Sequence, residues 1–343
     1  MAGSARLKVG VQGAGAVGCY VGGRLQAAGA ADVVLVGRAR LRDQLRATGL
    51  AVQDFDGPRV TAVGYRFATE ASALADCDVV LCCVKSHHTA AAAAELAAVL
   101  GPDALVVSLQ NGVRNPDVLR AALPGRRIVP SIVSWNVVAV DGSFRRTTSG
   151  PLVVERGPAT QALVRALVAA GIGVEQPAEL APHQWTKLLV NLNNAVSALT
   201  DVATTRLLRE PGYRRTLAAL VDEGLGVLRA AGIKPAKFNG VPLAWMPRLL
   251  RLPTAIVKLV TRAQLKVDPA ARSSMWQDLA AHRPTEVDYL NGEIVSLAER
   301  HHVAAPINRR IVALVHDAER ADLGSPGMSA DALWAALTGA ATA

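Results

Sequence analysis

A glycine motif directly after the first apolar segment is the feature that most narrowly limits how this chain can fold. The segment 7–12 is strand-like, and the residues after it follow the pattern G-x-G-x-x-G: Gly13, Ala14, Gly15, Ala16, Val17 and Gly18. An amphipathic helical stretch comes next, so the motif joins a strand to a helix. There the first glycine permits a tight turn, the second lets the backbone approach a pyrophosphate, and the third allows close helix–strand packing. The motif therefore predicts a dinucleotide site, with the phosphates bound by the free N–H groups of the helix.

Short apolar runs alternate with helical segments through the first half of the chain. Strand-like runs occupy residues 7–12, 33–36, 78–84 and 104–109. An alanine-rich helical stretch covers 89–100, irregular strands and hairpins are predicted over 127–155, and one more helix and strand over 160–175. Near-continuous apolar strands that alternate with helices indicate a parallel sheet covered on both faces. We therefore predict an α/β domain with a doubly wound, Rossmann-type sheet.

The alternation ends at residues 176–182, a segment with a proline near each end. Beyond it the pattern is helical, and no convincing strand is found. We therefore predict two domains, an α/β domain over residues 1–178 and an all-α domain over residues 179–343. Within the second domain, the four prolines of 234–253 predict a loop or a set of short turns.

The stretch 254–266 is amphipathic. Ile256, Leu259, Val260 and Ala263 recur at helical spacing, and Lys258, Arg262 and Lys266 lie together on another face. We interpret it as a packed helix with a solvated basic face, and a membrane-surface or partner helix is the alternative.

Composition and charge narrow the class of protein. With 51% hydrophobic and 19% charged residues, the chain has the balance of a globular protein with a large core. No apolar run is long enough to predict a membrane span, and the start of the chain lacks the apolar segment of a signal peptide. The net charge of +9 fits small anionic ligands, because the basic residues are dispersed and no nucleic-acid-binding motif is present. We therefore expect a cytoplasmic protein that binds neither nucleic acid nor a membrane.

Cysteine and histidine usage predicts neither crosslinks nor a metal. The cysteines are few, and two are adjacent in an apolar run: Cys19, Cys77, Cys82 and Cys83. This pattern is typical of reduced, buried thiols. The adjacent pairs His87–His88 and His301–His302 lack the spacing of ligands on one helical face, so no metal site is predicted.

The end of the second predicted strand indicates which dinucleotide is bound. A protein that prefers NAD usually has an acidic residue there, which bonds the ribose 2′-hydroxyl. Here the sequence is Val36-Gly37-Arg38-Ala39-Arg40, and Asp32 comes too early, at the beginning of the strand. Arg38 is placed to pair with a 2′-phosphate, and Arg40 can assist it. The predicted cofactor is therefore NADPH.

A polar stripe on an apolar helix is the first candidate for chemistry. Lys187, Asn191 and Asn194 are separated by steps of four and three residues, which predicts that they share one helical face. The side chains around the stripe are apolar: Leu188, Leu189, Leu192 and Val196. Because buried polar groups are costly unless they are satisfied, a small polar ligand would account for the stripe. A surface stripe or an internal hydrogen-bond network is the alternative.

The second candidate segment, 283–292, reads Arg-Pro-Thr-Glu-Val-Asp-Tyr-Leu-Asn-Gly. Pro284 suits the first turn of a helix, which would put Glu286 near the positive end of that helix. From there Glu286 can pair with Lys187 or bond a substrate hydroxyl, and stabilisation of the helix start is its alternative role. No G-x-S-x-G motif is present to predict a hydrolase.

Taken in order, these motifs resemble the ketopantoate reductase (2-dehydropantoate 2-reductase) family, from residue 13 to about residue 315. The shared markers are the glycine motif, Val84-Lys85, Gln110-Asn111-Gly112, Lys187 with Asn191, Ser273-Ser274-Met275, Thr285-Glu286-Val287-Asp288-Tyr289 and Pro306-Ile307-Asn308. The resemblance implies a Rossmann-type domain and an all-α C-terminal domain, with the active site in the cleft between them. It also implies NADPH-dependent reduction of 2-dehydropantoate to pantoate, a step of pantothenate and coenzyme A biosynthesis.

The resemblance also implies a role for each matching residue. Lys187 is expected to polarise the 2-keto oxygen and to protonate the developing alkoxide, and Glu286 matches the acidic active-site residue. The expected substrate contacts are Asn191, Asn194, Ser274 and Asn111. Lys85 and Asn111 match residues at the junction of cofactor and substrate.

Two positions depart from the family pattern. Ala195 stands where the family commonly has a second asparagine, and Ala271 where it often has another. Both asparagines help to bind the substrate in the family, so a related NADPH-dependent reductase of another 2-oxo acid is the second hypothesis. A non-catalytic NADP-binding sensor is the third, and the retained Lys187 and Glu286 argue against it. The sequence fits a monomer or a homodimer equally well.

Overall fold

The chain folds into two compact units, residues Met1–Leu180 and Ala181–Ala343. The structure, a computed structural model, describes residues 6–261 and 272–339. No helix in these two stretches is long and apolar enough to cross a membrane.

The first unit alternates strands and helices, as the sequence predicts. Its strands are β1 (Lys8–Gln12), β2 (Asp32–Val36), β3 (Leu50–Gln53), β4 (Arg59–Ala62), β5 (Arg66–Ala68), β6 (Val79–Cys82), β7 (Leu105–Ser108), β8 (Arg127–Val133), β9 (Val137–Val140), β10 (Ser143–Arg146), β11 (Leu152–Val154) and β12 (Val174–Glu175). Its helices are α1 (Ala16–Ala27), α2 (Ala39–Thr48), α3 (Thr89–Val99), α4 (Asn115–Ala122) and α5 (Gln161–Ala169).

An eight-stranded sheet organises this unit, in the order β12-β11-β8-β7-β6-β1-β2-β5. The pairs from β8 to β5 are all parallel, and only β11 runs antiparallel to β8. The strand order reverses between β1 and β6, since β2 lies on one side of β1 and β6 on the other. In open sheets of this kind, ligands bind beyond the carboxyl ends of the strands at such a reversal. The predicted doubly wound sheet is therefore confirmed.

A smaller, four-stranded sheet in the order β4-β3-β10-β9 was not predicted. Two of its pairs are antiparallel, and the central β3–β10 pair is parallel although the strands lie far apart in sequence. Its strands pack against α1: Gly23 on that helix lies so close that an added Cβ would be 2.6 Å from Val52 Cγ1 of β3. The small sheet thus supports the helix that follows the glycine motif.

The four cysteines are free thiols, as predicted. Cys19, Cys77 and Cys82 are buried, whereas Cys83 is only partly buried. Burial raises the pKa of Cys19 and of Cys82 to about 12 and that of Cys77 to about 11.

The second unit is helical. It comprises α6 (Ala181–Asn191), α7 (Asn193–Thr200), α8 (Thr204–Arg209), α9 (Pro211–Ala230), α10 (Met246–Leu250), α11 (Thr254–Thr261), α12 (Ser274–Ala280), α13 (Asn291–Arg300), α14 (Pro306–Ala321) and α15 (Ala330–Thr338). The long helix α9 packs against α6, α7, α8, α10, α13, α14 and α15. Within residues 181–261 and 272–339 the only β structure is an isolated bridge between Phe238 and Val241.

The proline-rich segment 234–253, predicted as a loop or a set of short turns, also contains a short α-helix. The bridge is followed by a 3₁₀ turn at Leu243–Trp245 and by the short α10. The buried guanidinium of Arg214 on α9 fixes this segment, because it donates to the carbonyl oxygens of Leu250 at 3.0 Å and Leu252 at 3.1 Å. It also donates to Leu208 and Arg209 at the end of α8 and to Thr254 at the start of α11.

Helix α11 differs from the amphipathic helix predicted over 254–266. Val257 is buried, whereas Ile256 and Leu259, predicted to pack, are 44% and 75% exposed. The reason is that α11 packs against α8, and Val257 is on the buried side. The predicted contributions of Arg262, Ala263 and Lys266 lie outside the described residues.

Candidate active site

The glycine motif turns tightly between β1 and α1. Gly13 has φ +96°, and an added Cβ would lie 2.7 Å from the backbone nitrogen of Val84. At Gly18 an added Cβ would lie 2.6 Å from the carbonyl oxygen of Gly13. Both positions therefore require glycine, the first for its torsion and the close approach of the backbone after β6, the second for packing of the helix on its own loop.

Gly15 behaves differently and identifies where a ligand fits. A Cβ added there meets no atom of the described residues within 4 Å, its chain neighbours aside. Gly15 is the N-cap of α1, and the helix begins with no side-chain cap and no acidic residue in its first turn. An open space in front of uncapped helical N–H groups fits a pyrophosphate. Ala14 is buried, and Ala16 and Val17 are partly buried at the same turn.

Arg38 and Arg40 project from the end of β2. Arg38 is the N-cap of α2, and both side chains are exposed. Neither guanidinium has an ion pair or a hydrogen bond within the described part of the chain, whereas Arg42 on the same helix pairs with Asp43. Two unengaged cations at the end of β2 fit a 2′-phosphate better than a bare ribose hydroxyl.

Lys85 and Asn111 follow two neighbouring parallel strands. Lys85 is the N-cap of a 3₁₀ turn at Ser86–His88, just after β6, and Asn111 comes just after β7. Both are partly buried. Because β6 is next to β1, these residues belong to the same edge of the sheet as the glycine motif.

A buried polar network that the sequence did not reveal joins the two loops. Asn115 Nδ2 donates to the carbonyl oxygen of Asn111 at 2.7 Å and to Ser86 Oγ at 3.0 Å, and Asn115 Oδ1 lies 2.8 Å from Thr89 Oγ1. Gln110 Nε2 donates to Thr89 Oγ1 at 2.7 Å and to the carbonyl oxygen of Val84 at 3.1 Å. All four polar side chains are buried, so the network holds the Lys85 and Asn111 loops in a fixed register.

In the second unit, the predicted stripe extends over two helices instead of one. Helix α6 ends at Asn191, and α7 begins at Asn193 after a turn at Leu192, whose φ of −57° and ψ of −21° are close to 3₁₀ values. The prediction of one continuous helix through Asn194 is therefore wrong. No glycine or proline marks the break. Asn191 is buried, and Asn194 is partly exposed on the second helix.

Lys187 is the most unusual ionisable group of this unit. It lies on α6 beside the buried Leu188 and Leu189, and it makes no hydrogen bond or ion pair with any of the described residues. Burial lowers the pKa of Lys187 to about 8. A partly buried amine without a partner among the described residues is suited to a polar ligand that carries a carbonyl or carboxylate.

The serine pair at the start of α12 divides into a structural and an exposed member. Ser273 Oγ accepts the N–H of Trp276 at 3.1 Å and donates to the carbonyl oxygen of Asn194 at 3.1 Å. It is therefore an N-cap that also ties α12 to α7, and its position before an apolar helical run was the available signal. Ser274, the predicted substrate contact, is the first residue of α12 and is partly exposed.

Glu286 is 5% exposed, but its surroundings differ from those predicted. Pro284 lies before any helix, Glu286 precedes a 3₁₀ turn at Val287–Tyr289, and α13 begins only at Asn291. The cause is local: Thr285 Oγ1 accepts the N–H of Val287, which replaces the first helical turn. An ion pair with Lys187 was one of two expected roles of Glu286, and none is found between these two described residues.

The predicted residues therefore form two groups, one in each unit. The glycine motif, Arg38, Lys85 and Asn111 belong to the carboxyl edge of the first unit's sheet. The second group consists of Lys187, Asn191, Asn194, Ser274 and Glu286.

Known proteins resemble both units. The family model described as "Ketopantoate reductase PanE/ApbA" matches residues 9–159, and that described as "Ketopantoate reductase PanE/ApbA C terminal" matches residues 179–319. The 2-dehydropantoate 2-reductase of Halobacterium salinarum is 33% identical over 326 residues, which cover 92% of this chain and 99% of the relative. That of Mycobacterium tuberculosis is 30% identical over 309 residues, which cover 88% of this chain and 95% of the relative.

Solved structures show the same architecture. A PanE/ApbA family ketopantoate reductase from Ralstonia eutropha superposes with a TM-score of 0.78 and 33% identity, covering 92% of this chain and 99% of that one. A D-mandelate dehydrogenase with NADH and anilino(oxo)acetate has a TM-score of 0.76 at 23% identity, covering 92% and 99% of the two chains. The second likeness concerns the fold alone.

Proposed function

Because the chain belongs to the ketopantoate reductase family, we propose that it reduces 2-dehydropantoate to pantoate with NADPH, in pantothenate and coenzyme A biosynthesis. The observation that carries the proposal is Lys187, a partly buried amine that has no partner among the described residues and a pKa lowered to about 8. Such a group can polarise a carbonyl and give up its proton near neutral pH.

Ketopantoate reductases use NADPH, and the residues of the first unit fit that cofactor. The N–H groups of Ala16, Val17 and Gly18 would bind the pyrophosphate, and Arg38 with Arg40 would bind the 2′-phosphate. Lys85 and Asn111 would contact the nicotinamide side of the molecule. When bound, NADPH supplies the hydride that reduces the keto carbon.

In the proposed mechanism, the residues of the second unit bind and orient the keto acid. Lys187 donates a hydrogen bond to the 2-keto oxygen and transfers its proton to that oxygen as negative charge develops there. Asn191, Asn194 and Ser274 hold the carboxylate and hydroxyl groups, and Glu286 accepts a hydrogen bond from a substrate hydroxyl. Loss of one donor to a developing oxyanion typically costs about 3 kcal/mol of barrier, a loss of roughly a hundredfold or more.

We further propose that residues 1–178 act as the cofactor domain, that residues 179–343 act as the substrate domain, and that the reaction takes place in the cleft between them. This arrangement is supported by the division of the candidate residues between the two units. We place the enzyme in the cytoplasm, as a monomer or a homodimer, which light scattering during size-exclusion chromatography would distinguish.

A second candidate function is reduction of a different 2-oxo acid by the same mechanism. Its support is Ala195, a fully buried methyl in α7 at a position where the family commonly has an asparagine. A methyl group offers no hydrogen bond to a substrate hydroxyl, and an unmet polar group weakens discrimination for hydroxylated substrates. Ala271, the other departure, lies outside the described residues.

The test is the loss of reduced-nicotinamide absorbance with purified protein, NADPH and 2-dehydropantoate, with a panel of other 2-oxo acids alongside. Turnover on 2-dehydropantoate that falls at least about a hundredfold in Lys187→Ala, with NADPH binding unchanged, is the expected result. Turnover on another panel member alone would replace the substrate with that acid. NADPH binding without turnover on any acid would favour a non-catalytic sensor and overturn the proposal.

A further inference from the structure

His316 on α14 lies between two carboxylates. Its Nδ1 is 2.8 Å from Glu319 Oε2, and its Nε2 is 3.0 Å from Asp288 Oδ1 of the 3₁₀ turn after Glu286. A carboxylate only accepts hydrogen bonds, so both contacts are hydrogen bonds only when both ring nitrogens carry a proton. A neutral imidazole would set one lone pair against an anionic oxygen. The geometry therefore selects the imidazolium.

The same carboxylate that faces His316 also binds the backbone before Glu286. Glu319 Oε1 accepts the N–H of Thr285 at 2.7 Å. Thr285 and Asp288 are therefore both attached to α14, on either side of the buried Glu286. Charge-assisted hydrogen bonds of this kind are shorter and stronger than neutral ones, so they define the position of the segment between them.

We propose that His316 is a positioning residue whose imidazolium, with Glu319 and Asp288, fixes the segment 285–288 on α14 and thereby fixes the Glu286 carboxylate. The catalytic relevance of this contact rests on the role of Glu286 in the proposed function. The hydrogen bonds of His316 to Glu319 and Asp288 do not depend on that role. His316 touches neither substrate nor cofactor in this scheme, and it acts only through the backbone that carries Glu286.

The charges around His316 give the contact a defined pH range. Partial burial lowers the pKa of His316, but its hydrogen bonds to Glu319 and Asp288 outweigh that effect and the net shift is upward. Partial burial likewise raises the pKa of Glu319, but hydrogen bonds from Thr285 and His316 outweigh it and the net shift is downward. The contribution of His316 is therefore complete below its ordinary pKa and is lost as the pH rises through its raised pKa. That of Glu319 is present above its ordinary pKa and is lost as the pH falls through its lowered one.

Other charged groups near this contact are engaged elsewhere. On α14, Asp317 pairs with Arg320. Before the segment, Arg283 pairs with Asp278 of α12, and His282 pairs with Asp322. From α13, Glu293 pairs with Arg300, and from α9, Glu223 accepts the N–H groups of Ile307 and Asn308. Asp288 and Glu319 are thus the groups that govern the titration of His316.

The test compares the full-length wild type with His316→Lys, which keeps a cation between the two carboxylates but does not titrate near neutral pH. Amide hydrogen exchange of peptides spanning 283–290 is measured across the pH range and divided by the intrinsic exchange rate. In the wild type we expect protection to fall by about fivefold as the pH rises from about 6 to about 9, because a half-exposed ion pair is worth about 1 kcal/mol. In His316→Lys we expect constant protection.

Equal pH dependence in both proteins, or none in the wild type, would overturn the proposal. His282→Asn removes a similar but separate histidine–aspartate pair, at a residue whose φ of +52° asparagine tolerates, and should match the wild type. If His316→Lys does not fold, Asp288→Asn replaces a surface carboxylate and should lower the pH at which His316 titrates by NMR. An unchanged titration there would equally contradict the proposal.

A kinetic measurement connects the contact to catalysis. With NADPH saturating, kcat/KM for the keto acid should fall less with rising pH in His316→Lys than in the wild type, because the variant keeps the decline from Lys187 and loses only the part from His316. The exchange measurement needs no substrate, so it separates two failures. A protein that reduces no 2-oxo acid but shows the predicted exchange disproves the proposed function alone.

Discussion

Lys187 shows how a single residue acquires its chemistry from its position. A solvated lysine is a weak acid, because its pKa is far above neutral. Here burial beside Leu188 and Leu189 lowers the pKa to about 8, and no protein carboxylate compensates among the described residues. An acid whose pKa lies near the working pH is both protonated in a large fraction of molecules and ready to transfer its proton.

The first prediction concerns the dependence of kcat/KM on pH. The protonated fraction of Lys187 falls as the pH rises through about 8, so kcat/KM should decline above that pH, tenfold per pH unit in the limit. Steady-state rates with saturating NADPH measure the decline. Lys187→Arg is the matched control: its guanidinium stays charged, so its residual activity should lose the decline from Lys187 and keep only the smaller one from His316. A wild-type profile that is flat to about pH 10 would contradict the role of Lys187 as the acid.

A second residue-scale prediction concerns cofactor choice. Arg38→Ala should raise the KM for NADPH by about tenfold or more and leave that for NADH nearly unchanged, because only NADPH has a 2′-phosphate to pair with the guanidinium. Arg42→Ala is the control, since Arg42 faces Asp43 on the same helix and should have little effect. Equal losses for both cofactors would show that Arg38 does not select the phosphate.

The residues that sequence reasoning found and missed differ in a physical way. Lys187, Glu286 and Arg38 stood out because a charge in an apolar pattern, or at the end of a strand, is costly or unusual. Thr89 and Asn115 did not stand out, because each is an ordinary polar residue in its own segment. Their importance arises from the fold, which brings together two loops that are distant in sequence.

Among the secondary-structure elements, the strand–loop–helix at the start of the chain was the most predictable. Its glycines are required by local geometry, so the sequence alone reveals them. The sheet β4-β3-β10-β9 was missed because its central, parallel β3–β10 pair joins segments that are distant in sequence. The division of α6 from α7 at Leu192 was missed because its torsions remain nearly helical and no breaker residue occurs there.

The third prediction distinguishes two glycines of this loop. Gly18→Ala should destabilise the first unit by about 1–3 kcal/mol and weaken NADPH binding, because its methyl would collide with the Gly13 carbonyl. Gly15→Ala should leave the melting temperature unchanged, because its methyl meets no other atom of the described residues. It should weaken NADPH binding alone, because the methyl occupies the space where we propose that the pyrophosphate binds. Calorimetry with and without NADPH measures both. Normal NADPH binding by Gly15→Ala would place the pyrophosphate elsewhere.

At the scale of the whole molecule, two units each have their own elements and their own candidate residues. The division near residue 180 could be anticipated because the sequence changes there from alternating strands to helices. The packing that maintains the second unit was not predictable, since Arg214 is a basic residue on a helix and its burial depends on α8, α10 and α11.

The fourth prediction tests that packing. Arg214→Met should lower the free energy of unfolding of the second unit by about 3 kcal/mol, because it leaves several partly buried carbonyl oxygens without their donors at once. The neighbouring Arg215→Ala should cost less than about 1 kcal/mol, since Arg215 is half-exposed and pairs with Asp331 on the surface. Urea unfolding, followed through amide hydrogen exchange of residues 248–256, measures the free energy of unfolding of both variants. Equal costs for the two variants would mean that the buried bonds are not stabilising.

Because three of its thiols are buried, transient opening of the first unit can be measured by thiol labelling. All cysteines of the chain lie within its first 83 residues, and Cys19, Cys77 and Cys82 are buried with pKa values of about 11–12. Once the partly buried Cys83 has reacted, an alkylating reagent reaches these three sulfurs only in molecules whose sheet has opened, and the rate of that slower labelling measures how often it opens. The helical unit has no thiol and is not labelled. One reagent can therefore follow the transient opening of the first unit alone under native conditions.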